Sequence, residues 1–399
     1  MAGIQPLKVS LMVENELFAV SETRLKELLT IKNYSDALMV TEGLLTITPS
    51  DERYLLMLGR LYELIEQTTD SKSVYEKVTN SVPAAYNTHL MLGRCYHKAG
   101  DVEKTFKHYV TALRTANNSG FWLDPGSTAP WVHQYVVQAL NFCEKHRQNV
   151  IGGWVNELQQ TYGKDEIKRV VQGIRMYSGE VATVYDDPRQ KPGFLYIPGL
   201  PVKPVFERKD LDFIDYYESQ FNNIKTELDN LILQNVHIES YRDTDKHGLT
   251  TGGDWDAKFF FRHGKRYDDT HALCPLTSEI LTHLPLVHIQ DHSPEVCFSV
   301  LRPGAHLLPH RGVTNSRSVL HMGLQIPNGC ALNVVGIEEL HWQPGKVFAF
   351  DDNYLHEAWN RSDESRYVLL ADIWNPFLTD AECCAITDFV AKVGALDSK

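Results

Sequence analysis

The sequence lacks any run of about 18 apolar residues, the length a helix needs to cross a bilayer, so no membrane-spanning helix is expected. Its first residues, MAGIQPLKVSLMVENELFAV, carry Lys8, Glu14 and Glu16 where a secretory signal would hold an unbroken apolar segment. No such signal is expected there. There is no Cys-x-x-Cys pair. Cys95, Cys143, Cys274, Cys297, Cys330 and the adjacent Cys383 and Cys384 are odd in number and scattered. This argues against a disulfide framework or a thiolate zinc site, and reduced thiols in a cytoplasmic protein are the expectation. An excess of basic residues is missing too. With 39 Lys+Arg against 51 Asp+Glu the net charge is −12. Phosphate binding needs a basic surface, so nucleic acid is not the expected partner.

What is present is ordinary globular material. The 399 residues are 43% apolar and 23% charged, which excludes wholesale disorder, collagen and a long coiled coil. At about 100–200 residues per domain, two or three domains are expected.

The front of the chain repeats itself. MLGRLYE at 57–63 returns as MLGRCYH at 91–97, an offset of 34 residues, and Pro49 and Pro83 share that offset. This is the period of the tetratricopeptide repeat, a helix–turn–helix unit. Gly59 and Gly93 supply small residues where paired helices approach. Tyr62, Tyr75, Tyr96, Tyr109, Ala37 and Ala112 fill further packing positions. Helical repeats are expected over 21–117, the first of them matching only in part. Helical periodicity continues to about 180, giving a helical domain over 1–180 whose concave groove would suit an extended peptide.

Beyond 180 the texture changes. Proline and glycine crowd KPGFLYIPGLPVKP at 191–204. One amphipathic helix is expected at 209–234, from the spacing of Leu211, Ile214, Tyr217, Phe221, Ile224, Leu228 and Leu231. From about 255 onward short alternating runs are separated by turn signals at Pro303-Gly304, Pro327-Asn328-Gly329 and Pro344-Gly345. Such spacing predicts an antiparallel sandwich or barrel of jelly-roll type over 181–399. The fold class is therefore α+β in two domains.

Twelve of the 17 histidines fall between 237 and 356. Taken singly, His237, His247, His263, His271, His283, His288, His292 and His341 read as surface or structural. His306, His310, His321 and His356 lie at strand ends or within alternating strands, where side chains can converge. Chemistry alone allows a mononuclear metal site of two imidazoles with a basic anchor nearby for an anionic cosubstrate. Spacing alone does not single out the pair.

The stretch FSVLRPGAHLLPHRGVTNSRSVLHMGLQIPNGCALNVVG, followed by HWQPGKVFAFDDNYLHEAWNRSDESRYVLLADIWNPFLT, closely resembles the aspartyl/asparaginyl β-hydroxylase family. The likeness is densest over 295–378 and weaker back to about 190. That family comprises iron(II)- and 2-oxoglutarate-dependent dioxygenases on a double-stranded β-helix, and its animal members carry tetratricopeptide repeats ahead of it. The resemblance implies that His310 and His356 ligate the iron. The third, carboxylate ligand usual among 2-oxoglutarate oxygenases would fall at Gly312, so a water is implied there. Asp351 and Asp352 would stand beside the metal rather than on it. By the same resemblance Arg366 pairs with the distal carboxylate of 2-oxoglutarate, Ser299 shares it, and His321 contacts the carboxylate nearer the iron. Arg317 would hold an anionic group of the substrate. A second family arginine is replaced by Val319, which argues against an aspartyl residue of an extracellular-type domain.

The implied activity is hydroxylation of the β-carbon of an aspartyl, asparaginyl or related residue in a peptide or protein, consuming 2-oxoglutarate and O2 and giving succinate and CO2. The alternative is hydroxylation of a small molecule, such as a free or carrier-bound amino acid or a lipid, with the repeats as a protein-interaction module.

Overall fold

The computed structural model describes residues 5–241 and 249–397, so His247 lies outside the described residues. The chain forms two compact units, Met1–Asn149 and Val150–Lys399.

The first unit is helical: α1 (Gln5–Thr30), α2 (Tyr34–Ile47), α3 (Glu52–Leu64), α4 (Thr68–Ser81), α5 (Tyr86–Lys98), α6 (Val102–Asn118) and the start of α7 (Pro130–Tyr162). Asn33, Asp51 and Asp101 cap α2, α3 and α6 by accepting from backbone N–H groups of the first turn. The 34-residue repeat has a direct physical basis. A Cβ on Gly59 of α3 would lie 2.2 Å from Cε1 of Tyr75 on α4. A Cβ on Gly93 of α5 would lie 2.5 Å from Cδ1 of Tyr109 on α6. In each pair the second helix lays a fully buried tyrosine against the bare backbone of the first.

The second unit begins inside α7, about thirty residues before the change of texture at 180. Ile151, Val155 and Leu158 of α7 and Val170, Val171 and Ile174 of α8 (Lys168–Tyr177) share one core with Leu195, Ile197, Val287 and Ile289. Packing, not proline content, sets this boundary. The amphipathic segment expected at 209–234 is two helices, α9 (Ile214–Ser219) and α10 (Phe221–Leu233), divided where Gln220 leaves helical geometry. Their apolar residues nevertheless enter a single cluster.

Twelve strands among the described residues form two antiparallel sheets, with every ladder antiparallel. They are β1 (Glu239–Ser240), β2 (Thr250–Thr251), β3 (Trp255–Arg262), β4 (Lys265–Arg266), β5 (Val296–Leu301), β6 (His306–His310), β7 (Arg317–Gln325), β8 (Cys330–Val334), β9 (Glu338–Leu340), β10 (Val347–Phe350), β11 (His356–Asn360) and β12 (Arg366–Trp374). The larger sheet runs β1-β3-β5-β12-β7-β10 with β4 beside β3, and the smaller runs β2-β6-β11-β8-β9. Between β4 and β5 lie α11 (Asp268–Leu273) and α12 (Pro275–Leu281), and after β12 comes α13 (Asp380–Asp397). No helix among the described residues is long and apolar enough to cross a membrane.

Strand parity decides what reaches the interior. On β12, Tyr367, Leu369, Ala371 and Ile373 pack with residues of α9, α10 and α12. Val368 and Leu370 instead join Leu307 of β6, Leu332 of β8 and Ala358 of β11, between the sheets. Alternation along a strand therefore sends Arg366 and Asp372 to that inner face. Ser299 follows Cys297 there on β5, and Arg317 and His321 flank Val319 there on β7.

Candidate active site

His310 ends β6 and His356 opens β11, and the two are paired in register. Their ring centroids are 4.2 Å apart with planes tilted by 54°. Nδ1 of His310 donates to the Leu308 carbonyl at 2.8 Å, and Nδ1 of His356 to the Tyr354 carbonyl at 3.0 Å. A carbonyl only accepts, so each Nδ1 carries a proton, and a neutral ring then keeps its lone pair on Nε2. That is the tautomer of a metal ligand whose far nitrogen is anchored by the backbone. Burial lowers the pKa of His356, which favours the neutral form a ligand needs.

Gly312 and Asp352 meet next to this pair. The Gly312 N–H donates to the Asp352 carbonyl at 2.7 Å. Oδ1 of Asp352 is buried with no hydrogen-bond partner, and Oδ2 lies 3.4 Å from Nη2 of Arg317. Burial raises the Asp352 pKa, with Arg317 opposing the rise. Among the described residues no group of three or more His, Cys, Asp or Glu side chains is placed to hold a metal ion.

Arg317 sits between two acids. Its Nη1 is 2.5 Å from Oδ2 of Asp372, and its Nη2 faces Asp352. The arginine expected to hold a substrate anion thus already has two buried carboxylates. His310, Gly312, Arg317 and Asp352 line a cavity of about 790 Å³, whose other walls include Val287, Ile289 and Val390. His306 instead pairs with Glu357 at 2.7 Å, and the exposed His341 with Glu339 at 3.2 Å.

Ser299, His321 and Arg366 gather on the larger sheet. Arg366 is 3% exposed, and no carboxylate among the described residues pairs with it. Its guanidinium lies 4.7 Å from the Trp342 ring centre, Nη1 reaches the Ser299 carbonyl at 3.5 Å, and Nε has no partner. Burial lowers its pKa to about 10, which leaves it charged at neutral pH. Trp342 Nε1 donates to Nδ1 of His321 at 3.2 Å, while Nε2 of His321 is buried without a partner. Burial first, then the Arg366 charge, holds the His321 pKa well below its ordinary value. Phe350 stands between this group and the histidine pair, 5.7 Å from the His321 ring and 5.1 Å from that of His356.

Sequence reasoning passed over Asp372, Trp255 and Trp342. Asp372 shares the inward parity of Arg366 on β12, which was a usable signal. The tryptophans had none, because their partners lie on other strands.

The two sheets bring together a close pair of histidines, one buried and one half-buried, on one sheet and a buried arginine without a carboxylate partner on the other. The family model for aspartyl/asparaginyl beta-hydroxylase matches residues 218–376. The aspartate beta-hydroxylase domain-containing protein 2 of Homo sapiens is 32% identical over 247 residues, covering 60% of this chain and 65% of that one. The Mus musculus protein of that name is 31% identical over 244 residues, covering 60% of this chain and 70% of its own. The chain belongs to the aspartyl/asparaginyl β-hydroxylase family. Human aspartyl/asparaginyl beta-hydroxylase is 24% identical over 344 residues, which is 86% of this chain and 41% of that protein. The ornithine lipid ester-linked acyl 2-hydroxylase of Rhizobium tropici is 30% identical over 182 residues, or 45% of this chain and 63% of its own. These relatives are spanned in part, the human aspartyl/asparaginyl enzyme by less than half of its length.

Proposed function

We propose that the chain is an iron(II)- and 2-oxoglutarate-dependent hydroxylase built on a double-stranded β-helix. The order of the last eight strands supports the fold reading: β5, β7, β10 and β12 lie in one sheet and β6, β8, β9 and β11 in the other. The observation that carries the function is Arg366. A buried guanidinium without a counter-charge is costly, and an anionic cosubstrate removes the cost. The residues present fit the implied groups, since two adjacent imidazoles suit iron and the unpartnered nitrogens of His321 and Arg366 suit two carboxylates.

His310 and His356 would hold the iron, Arg366 and Ser299 the distal carboxylate of 2-oxoglutarate, and His321 the carboxylate nearer the metal. Bound iron supplies the activation of O2 that couples decarboxylation of 2-oxoglutarate, to succinate and CO2, with hydroxylation of an unactivated carbon. The buried sandwich excludes water from these groups. Asp352, packed on Gly312, keeps a carboxylate beside the histidine pair without taking a ligand's place. The cavity reached from His310 would take the substrate.

For the substrate, the first reading is the β-carbon of an aspartyl or asparaginyl residue in a peptide or protein, held in part by the helical repeats. The second is a small molecule, with the repeats as an interaction module. Arg317 favours the second: with Asp372 and Asp352 already on it, it offers little to a substrate carboxylate. The likeness to an enzyme whose name specifies an acyl chain points the same way.

The test is succinate formation by the full-length protein with Fe(II) and 2-oxoglutarate, offered peptides rich in Asp and Asn or cellular lipid and metabolite extracts. The product is analysed for a mass gain of one oxygen atom. Oxygen in a peptide establishes the first reading, and oxygen in an acyl chain or free amino acid the second. A protein that binds neither Fe(II) nor 2-oxoglutarate overturns both.

A further inference from the structure

Three arginines, Arg262, Arg311 and Arg317, line the cavity that reaches His310. Arg317 is held by Asp372 and Asp352, and Nη2 of Arg262 donates to the Tyr241 carbonyl at 2.8 Å. Arg311 follows His310 directly in sequence, and no carboxylate among the described residues pairs with it. Its Nη1 donates to the carbonyls of Arg189 at 2.5 Å and of Asn353 at 2.9 Å. Those bonds use both hydrogens of Nη1 and fix the plane of the guanidinium. Nε and Nη2 keep their hydrogens, as a fork already set to meet an anion.

Another part of the wall is apolar. Val287 and Ile289 line it with Ile386, Val390 and Val393 of α13, and all five belong to one core cluster. On α13 the spacing i, i+4, i+7 puts its three residues on one helix face. We propose that the substrate of this site is an anionic amphiphile, with its carboxylate or phosphate group on Arg311 and its hydrocarbon chain along the α13 face. The inference rests on the reading of this cavity as the substrate site, and it narrows the second of the two substrate readings. Each half of the site calls for the other. A small hydrophilic anion would leave the apolar wall against water. A neutral hydrocarbon would cover Arg311 without supplying a counter-charge, which is costly. Arg311 thus selects the head group, and α13 the chain.

The experiment is isothermal titration calorimetry of the full-length protein with Mn(II), which binds without turnover, and saturating 2-oxoglutarate. The probes are octanoate, octyl phosphate and octanol, with hexanoate and decanoate completing a length series. Octanoate or octyl phosphate should bind about tenfold or more tighter than octanol, and the better of the two identifies the head group. Arg311→Gln should erase that preference, and Arg311→Lys should keep part of it. Affinity should rise about fourfold per added methylene from hexanoate to decanoate. Val390→Thr changes little in volume but puts a hydroxyl into the wall, so it should flatten that rise.

A preference for the anion that survives Arg311→Gln, as one due to the metal would, overturns the inference. So does a flat length series in the wild type. Tighter binding of N-acetylaspartate than of octanoate also overturns it, and returns the site to an aspartyl substrate. Titrating 2-oxoglutarate alone into the Mn(II) protein separates this claim from the cosubstrate reading. If 2-oxoglutarate fails to bind while octanoate binds through Arg311, the cosubstrate reading falls and the amphiphile site stands. If 2-oxoglutarate binds and neither octyl anion does, the inference falls and the cosubstrate reading stands.

Discussion

The carboxylate of Asp352 fills the space in which a side chain at Gly312 would begin: a Cβ built on Gly312 meets Oδ1 at 2.1 Å and Oδ2 at 2.2 Å. Glycine two residues after His310 is thus a packing requirement. Gly312→Ala should destabilise the fold by about 1–3 kcal/mol, the usual cost of overpacking a closed site. Asp352→Ala opens that space, so the double variant should regain part of the loss. Urea denaturation of the four proteins reads this coupling, and strictly additive effects would show that the two residues do not compete for one space.

Arg366 should reveal a conflict between stability and binding. An apolar residue of similar length relieves the buried, unpaired cation, so Arg366→Met should leave the unliganded protein as stable as the wild type or more so, by about 1–2 kcal/mol. The same change should abolish detectable 2-oxoglutarate binding. Denaturant titration and calorimetry check the two halves separately. A large loss of stability in Arg366→Met would show that the guanidinium is compensated within the protein.

Asp351 should impose a pH dependence. Burial first, then the neighbouring Asp352, raises its pKa from the usual 3.8 to about 6. The folded chain therefore holds this proton more tightly than the unfolded chain does. The stability that follows is fully present below about pH 4 and is lost as pH rises through 6, at up to about 1.4 kcal/mol per pH unit. Asp351→Asn removes the titration. Its amide oxygen can still accept from the Asn353 N–H, now 2.9 Å from Oδ1, and Gln190 can flip its amide to accept from the new N–H. The fall in unfolding free energy between pH 4 and 6 should be shallower in that variant than in the wild type.

How much of this was legible beforehand follows from the range of each interaction. The glycine–tyrosine contact joins adjacent helices and recurs every 34 residues, so a single chain displays it openly. Alternation along β12 is local too, and it marks Arg366 and Asp372 as inward-facing. The start of the second unit near Val150 was hidden, because proline and glycine mark local backbone while the core that Ile151 and Val155 join extends through Leu195 to Val287 and Phe389. The placing of Arg317 between Asp372 and Asp352 was hidden for the same reason, since the three come from separate segments. The roles suggested for His310, His356 and Arg366 came from likeness to a family and not from their spacing.

The helical unit offers a prediction independent of any chemistry. Gly43, Gly59 and Gly93 all lie inside helices, where replacing glycine by alanine removes backbone freedom from the unfolded chain and normally stabilises by about 0.4–1 kcal/mol. The surroundings reverse that sign at two of them. A Cβ on Gly43 meets nothing within 4 Å, so Gly43→Ala should be stabilising. At Gly59 and Gly93 the new methyl would strike the rings of Tyr75 and Tyr109 at 2.2 and 2.5 Å. Those rings are fully buried and cannot swing into solvent, so the helices must part instead. Gly59→Ala and Gly93→Ala should each destabilise by about 1–3 kcal/mol. Shrinking the ring with Tyr75→Leu should recover part of the Gly59→Ala loss and none of the Gly93→Ala loss, because each glycine faces its own tyrosine. Thermal melts of the full-length protein, following the helical signal, distinguish the cases. Equal effects at all three glycines would mean that close helix approach is not what the repeated MLGR motif encodes.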